Sequence, residues 1–322
     1  MVISNLACMA ESNFNTLPPK AIVVEGLTKQ FGNITAVDNL SFEVPRGELF
    51  GIIGPDGAGK TTLFRLLTSL MHPTDGNAYV DGLHTQRDYK LIRQRVGYMP
   101  GKFSLYQDMS VRENLDFFAS VFGTTIEQNY ELIKDIYCRL EPFADRKASK
   151  LSGGMKQKLA LCCALIHAPS VLFLDEPTTG VDPSSRREFW DMLTRLREHN
   201  ITIIVSTAYM DEASRCDRVA MMNNGRFMAI NTPKDLIRTF DRKLLAIRAD
   251  NMFQLLNDLR NINAINNCYT FGEYHHATIK PAINENINEH LIETLTSQYK
   301  HTNLCIEDCT PTLEDCFILY SR

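Results

Sequence analysis

A mixed α/β fold built on a parallel sheet, followed by a small α+β domain, is what this 322-residue sequence predicts. Three observations carry that prediction. A glycine-rich loop, Gly54-Pro55-Asp56-Gly57-Ala58-Gly59, lies between a β-rich run and a helical one. Farther on, strand, helix and strand alternate over residues 171–174, 184–199 and 201–205, which calls for parallel strands joined by helical crossovers. After Pro233 the pattern changes to short strands interleaved with amphipathic helices.

Taken in order, residues 1–20 are polar, end in Pro18-Pro19 and read as a loose tail. Short β-rich runs follow at 21–24, 41–44 and 48–53, the last two joined by a Pro45-Arg46-Gly47 turn. A helix is expected over 59–70, then turns through His72-Pro73-Thr74-Asp75-Gly76 and a strand at 77–80. Residues from about 102 to 150 read mostly as helix, because Val111, Leu115 and Phe118, then Leu132, Ile133, Ile136 and Leu140, recur at helical spacing. Near the end, 244–248, 277–280 and 304–307 read as strands, and 252–260, 287–299 and 313–320 as helices. They delimit a domain of about 240–322.

Composition sets bounds. With 44% hydrophobic and 22% charged residues, the chain can bury an ordinary globular core. A formal charge of −4 leaves no electrostatic footprint for nucleic acid, and no nucleic-acid partner is expected. Nine cysteines, without a Cys-x-x-Cys pair, read as reduced thiols of a cytosolic protein. The start carries no basic stretch followed by an apolar one, so it does not read as a secretory signal. The longest apolar run, 159–174, is broken by His167, Pro169 and Ser170 and falls short of the roughly 20 residues of a membrane span. A helix followed by a buried strand explains it, and the chain reads as soluble.

Gly54 to Thr62 fits the phosphate-loop pattern G-x-x-x-x-G-K-[ST], in the strand-to-helix context the pattern requires. The glycines let successive N–H groups point at the β- and γ-phosphates of a nucleotide, at the positive end of the next helix. Lys60, at a solvent-facing turn, is expected to neutralise phosphate charge, and the Thr61 hydroxyl to hold Mg²⁺. The apolar strand 171–174 ends in Asp175 and Glu176, at the edge of the sheet where ligands bind. Asp175 is placed to orient Mg²⁺ through water, and Glu176 to polarise the attacking water. Leu151-Ser152-Gly153-Gly154-Met155 opens a helix that Ser152 can cap, while Gly153 and Gly154 leave N–H groups free for an anion. A plain N-cap with a tight turn accounts for the same residues.

The phosphate loop, then Leu151-Ser152-Gly153-Gly154, Leu174-Asp175-Glu176-Pro177-Thr178 and Gly180-Val181-Asp182-Pro183, in that order, resemble the ABC ATPase family over about 21–235. The resemblance implies a P-loop nucleotide-binding domain with two lobes. A RecA-like core carries the phosphate loop and acidic strand, and a helical lobe, here about 102–165, carries the Ser152–Gly154 signature. It also implies two cassettes packed head to tail, with ATP touching Gly54, Pro55, Asp56, Gly57, Ala58, Gly59, Lys60, Thr61 and Thr62 of one and the signature of the other. Phe31 stands where the family places an aromatic on adenine, an edge residue of the core being the alternative. Asp182 would contact the partner cassette.

Arg112-Glu113-Asn114-Leu115, Thr179-Gly180-Val181-Asp182, Tyr209-Met210-Asp211-Glu212-Ala213 and Pro311-Thr312-Leu313-Glu314-Asp315-Cys316-Phe317 are similar to ATP-binding subunits of type-2 ABC exporters, which move drugs, lipids or polysaccharides. That likeness implies an ATPase that docks on separate membrane-spanning permease subunits, peripheral on the cytoplasmic face of the membrane. A regulatory, non-hydrolysing cassette of a heterodimer is one alternative. A soluble ABC ATPase acting on ribosomes or DNA is another, though a single cassette without heptads or a basic patch weighs against it.

Two positions depart from the family. After Val96-Gly97-Tyr98-Met99-Pro100 the family has a Gln, where this chain has Gly101 and then Lys102. After residues 203–207 it has a His, where this chain has Ala208. Both losses concern the γ-phosphate and point to slow or partner-dependent hydrolysis. The alternative is that Thr207, Tyr209 or a water supplies the contacts.

Overall fold

Two strands longer than the sequence suggests open the described chain. β1 (Lys20–Phe31) and β2 (Ile34–Pro45) pair antiparallel around Gly32-Asn33, from Phe31↔Ile34 back to Lys20↔Pro45. The β-rich runs at 21–24 and 41–44 are only their apolar ends. The polar halves pair too, because the ladder is made by backbone groups and absorbs bulges where the register shifts. The structure, a computed structural model, describes residues 20–280 and 287–321, so the tail expected over 1–20 lies outside the described residues except for Lys20.

β3 (Leu49–Ile53) runs into α1 (Lys60–Leu67), and β4 (Asp75–Val80) and β5 (Leu83–His84) then complete the first sheet, ordered β2-β1-β4-β5. α2 (Tyr89–Arg95) leads to β6 (Val96–Met99). The stretch read as mostly helix resolves into α3 (Val111–Val121) and α4 (Tyr130–Tyr137), followed by 3-10 turns at Glu141–Phe143 and Ala148–Lys150. Gly123, at positive φ, ends the first helix and Pro142 sits in one of the turns. Ser110 and Glu113 form a capping box at the start of α3.

α5 (Gly153–Leu165), β7 (Val171–Asp175), α6 (Pro183–Leu196), β8 (Thr202–Thr207), α7 (Met210–Ala213), β9 (Arg218–Asn223) and β10 (Arg226–Asn231) follow. The second sheet is ordered β10-β9-β3-β8-β7-β6, and its β9, β3, β8, β7 and β6 are parallel. Every residue of β3, β7 and β8 is buried, as a parallel sheet covered on both faces requires. Phe64 of α1 meets Phe173 of β7 edge-on, ring centres 5.7 Å apart, so the helix after the loop is locked to the acidic strand.

The chain divides after Phe227 into two compact units. The second contains α8 (Pro233–Arg238), β11 (Leu244–Arg248), α9 (Met252–Asn261), β12 (Ile265–Phe271), β13 (Tyr274–Ile279), α10 (Ile287–Glu293), β14 (Cys305–Asp308) and α11 (Leu313–Tyr320). Its antiparallel sheet, ordered β12-β13-β11-β14, packs around Leu245, Ile247, Leu255, Leu259, Leu291 and Leu295. β12 is the strand the sequence hides, since Asn266 and Asn267 interrupt its apolar pattern. Among the described residues no helix is long and apolar enough to cross a membrane, and the eight described cysteines are all free.

Candidate nucleotide site

Strand order sets the two halves of the site two strands apart. β3 ends at Ile53, level with Thr207 of β8, and β7 ends at Asp175, level with Ser206. Segments at the carboxyl ends of β3, β6 and β7 therefore meet in one cleft of about 580 Å³. It is lined by Asp56, Gly57, Ala58, Gly59, Lys60, Thr61, Thr62 and Arg65, by Tyr98, Pro100, Gly101 and Lys102, and by Asp175, Glu176 and Thr179.

The loop's shape is a backbone property. Gly59, the N-cap of α1, has φ 107°, and a Cβ there would stand 2.2 Å from the Ala36 carbonyl oxygen, so only glycine fits. No side chain caps α1. The N–H groups of its first turn, on residues that line the cleft, have no helix partner and suit an anion.

Lys60 corrects an expectation, because it does not face solvent. It is 4% exposed; its Nζ donates to the carbonyls of Gly54 (2.8 Å) and Pro55 (3.0 Å) and lies 3.1 Å from Glu176 Oε1. The apolar stem lies within the fold of the loop, and the ammonium ties the loop to the acidic strand.

Asp175 is buried and accepts a hydrogen bond from Ser206 Oγ at 2.7 Å. The Glu176 amide donates to the same Ser206, to Oγ at 3.0 Å and to the carbonyl at 3.1 Å. Ser206 thus fixes both acids. Glu176 has φ 49°, a left-handed conformation that costs a non-glycine residue energy. Its side chain is 24% exposed and is approached by Lys60 and by Thr179 Oγ1 at 3.4 Å. Burial and the Asp175 charge push the Tyr98 phenol up to about 12, against a weaker opposing effect of Arg65, so Tyr98 stays neutral beside the acids. Thr61 and Asp175 both line the cleft and offer hard oxygen donors, which suits Mg²⁺ that takes its other ligands from phosphate and water.

Gly54, Pro55, Phe31, Ser152, Gly153, Gly154 and Asp182 are not among the residues lining this cleft, and the carbonyls of the first two are taken up by Lys60. Phe31 is 46% exposed at the end of β1, with Lys29 Nζ 5.2 Å from its ring centre, so it is no core residue. Ser152 caps α5, its Oγ accepting from the Met155 amide at 3.3 Å. A Cβ on Gly154 would stand 2.8 Å from Ser185 Oγ, so the signature helix packs directly on the start of α6. Asp182 caps that second helix by accepting from the Ser185 amide at 3.0 Å, and that bond holds its carboxyl below the usual range.

The two departures are also placed. A Cβ on Gly101 would lie 3.0 Å from the Asp175 carbonyl and 3.8 Å from Glu176 Cβ, so a side chain there would overhang the acids. Ala208 is exposed just beyond β8. Thr207 is occupied: its Oγ1 donates to Glu212 Oε2 at 2.6 Å and accepts from the Tyr209 amide at 3.0 Å. The Tyr209 ring is covered by the Arg186 guanidinium at 3.9 Å. Sequence reasoning missed Ser206, Tyr98, Arg65 and Lys102. Ser206 carried a signal, since it directly follows the apolar run 201–205 as Asp175 follows 171–174.

Comparison with known proteins decides the family. Residues 37–179 match the model of the ABC transporter family. The Nod factor export ATP-binding protein I of Burkholderia lata is 41% identical over 226 residues, 69% of this chain and 74% of that protein. The chain belongs to the ABC transporter ATP-binding family. The probable multidrug ABC transporter ATP-binding protein YbhF of Escherichia coli is 44% identical to this cassette over 222 residues, which span 68% of the chain but 38% of that protein. Among solved structures, cbiO1 from Clostridium perfringens, part of the cbiONQ complex, superposes with a TM-score of 0.61 at 27% identity, covering 68% of this chain and 91% of that one. A dimeric ATP-binding cassette in a post-hydrolysis state, bound to ADP and Pi, gives 0.59 at 25% identity, covering 66% and 98%.

Proposed function

We propose that this chain is the ATP-binding subunit of an ABC exporter and hydrolyses MgATP between two cassettes packed head to tail. The division of its motifs carries this reading. Phosphate loop, Asp175 and Glu176 share one cleft, whereas Ser152, Gly153 and Gly154 begin a helix that lines none of it. A second cassette must bring a signature to complete each site. The Nod factor export protein among the relatives, and the dimeric neighbour with ADP and Pi, support the arrangement.

In this reading the N–H groups of Gly57, Gly59, Lys60, Thr61 and Thr62 hold the phosphates. Phosphate oxygens give Lys60 a new partner in place of Glu176, and the freed carboxylate accepts a proton from the attacking water. Thr61 and Asp175 hold Mg²⁺, which when bound neutralises phosphate charge. Phe31 offers its exposed face to adenine, and Asp182 meets the second cassette. Beside the cleft lies an apolar groove of about 200 Å³ with Leu70, Phe103, Phe118 and Phe122 in its walls, which shares Tyr98 and Pro100 with the nucleotide cleft. A helix of a permease subunit seated there, at the cytoplasmic face of the membrane, would press on the nucleotide site directly. Gly101 and Ala208 leave the γ-phosphate short of contacts, so the isolated subunit turns over slowly. The same two residues favour, as a second reading, a regulatory cassette that binds ATP without hydrolysing it.

Lys60→Ala tests the assignment. Its MgATP affinity by titration calorimetry should fall at least about a hundredfold, the loss expected for a charged hydrogen-bonding group, with the circular dichroism spectrum unchanged. Unmodified affinity in a folded variant would exclude the phosphate-loop role.

A further inference from the structure

The second unit holds a chain of side chains that packing alone does not explain. Asp315 lies in the first turn of α11, 1% exposed. Its Oδ2 accepts from the Thr312 amide and hydroxyl, both at 2.7 Å, which closes the helix cap. Its Oδ1 accepts from the Tyr269 hydroxyl at 2.5 Å and meets His276 Nδ1 at 2.6 Å. Burial opposes the charge, but the hydrogen bonds from His276, Thr312 and Tyr269 outweigh it and bring the carboxyl down to about 2. An ionised carboxylate only accepts, so Nδ1 carries the imidazole proton. In the neutral imidazole the lone pair is then on Nε2, and Cys309 Sγ stands 3.7 Å from that atom. Phe271 stacks on the ring at 4.0 Å and pins its orientation.

We propose that Cys309 is a modification site, a thiol that His276 activates as general base toward hydrogen peroxide while Asp315 fixes the tautomer of the base. Nucleophile, base and orienting group stand in the order such sites use. Burial and the nearby Asp315 charge push the Cys309 thiol up, so it is protonated at rest and gives up its proton as it attacks. The thiol's other neighbour, the Thr310 carbonyl at 3.4 Å, is no base. In the step, a sulfur lone pair forms a bond to one peroxide oxygen and the O–O bond breaks. The thiol proton passes to His276 Nε2 and on to the departing hydroxide, which leaves as water. Sulfur loses two electrons to give a sulfenic acid, and peroxide gains them.

Cys138 is the internal reference, since it is exposed and its sulfur meets only the Asp135 carbonyl among the hydrogen bonds described. The full chain is treated with limiting hydrogen peroxide in the presence of a dimedone trap, and labelled peptides are followed by mass spectrometry. Cys309 should label at least about tenfold faster than Cys138 although it is less exposed, a modest share of what a general base supplies. In His276→Asn the amide can still donate to Asp315 but nothing stands at Nε2, and labelling of Cys309 should fall to the Cys138 rate or below. The proposal is overturned if Cys309 labels no faster than Cys138 in the unmodified chain, a comparison that holds whether or not the variant folds. An unchanged Cys309 rate in a folded His276→Asn chain overturns it equally.

Discussion

Glu176 and Glu212 are held in opposite ways near the same edge of the parallel sheet. Glu212 is 4% exposed; its Oε1 accepts from Thr178 Oγ1 at 2.7 Å and Arg186 Nε at 3.0 Å, and its Oε2 from Thr207 Oγ1 at 2.6 Å. Glu176 is 24% exposed, meets Lys60 at 3.1 Å and Thr179 at 3.4 Å, and sits on a left-handed backbone. A carboxylate that only fastens α6 and α7 to the sheet needs every lone pair met. One that must exchange a lysine for a water needs few fixed partners and a rigid backbone behind it. The contrast sets a structural acid apart from the one proposed to react, without reference to motif.

Turnover should show the largest effect. Glu176→Gln keeps the size of the side chain and removes the base, so ATP hydrolysis should fall by roughly two to three orders of magnitude. Nucleotide binding persists, and ATP then favours a dimer in gel filtration. Undiminished single-turnover hydrolysis would take the reacting role away from Glu176.

Stability should show the reverse ranking. Glu212→Ala leaves two hydroxyls without their acceptor and Arg186 with only the more distant Asp211, at 3.6 Å, and should lower unfolding free energy by about 2–4 kcal/mol in urea denaturation. Glu176→Gln should cost less than that, since Lys60 keeps the Gly54 and Pro55 carbonyls and the new amide oxygen can still accept from it. Equal losses in the two variants would break the comparison.

The smallest effect is a gain. Restoring the missing polar groups with Gly101→Gln and Ala208→His should raise the rate only a few-fold, about the worth of one modest hydrogen bond. The Gln side chain is constrained, because its Cβ must settle 3.0 Å from the Asp175 carbonyl, while the exposed position 208 admits a His freely. The His should therefore carry most of the gain. Rapid turnover at the unmodified chain's own phosphate loop, measured with a partner cassette whose loop is disabled, would make both residues tolerated variations.

What the sequence made legible was local. A glycine-rich loop between strand and helix, or an apolar strand ending in acids, declares itself within ten residues, and the α/β alternation follows from the same short windows. The grip on those residues is not local. Ser206 lies 31 residues from the Asp175 it holds, and Glu212 lies 34 from Thr178, so strand order alone brings them together. Lys60 was misjudged for a related reason. Its position in a loop suggested solvent, but the loop closes around its own lysine. The hairpin of β1 and β2 was underread because its far half alternates polar residues that an antiparallel ladder accepts and a propensity scale does not.

The strand order β3-β8-β7 also acts as a ruler. Between the strand that feeds the phosphate loop and the strand that ends in the acids there are two inter-strand spacings, about 10 Å of backbone ladder. That gap is set by main-chain hydrogen bonds, so no side-chain substitution in the cleft rescales it. Exchanges at residues 101, 176 or 208 tune how fast or how tightly a ligand is handled. The length of ligand that can reach from loop to acid is written into the sheet, and it would change only if a strand were inserted or lost.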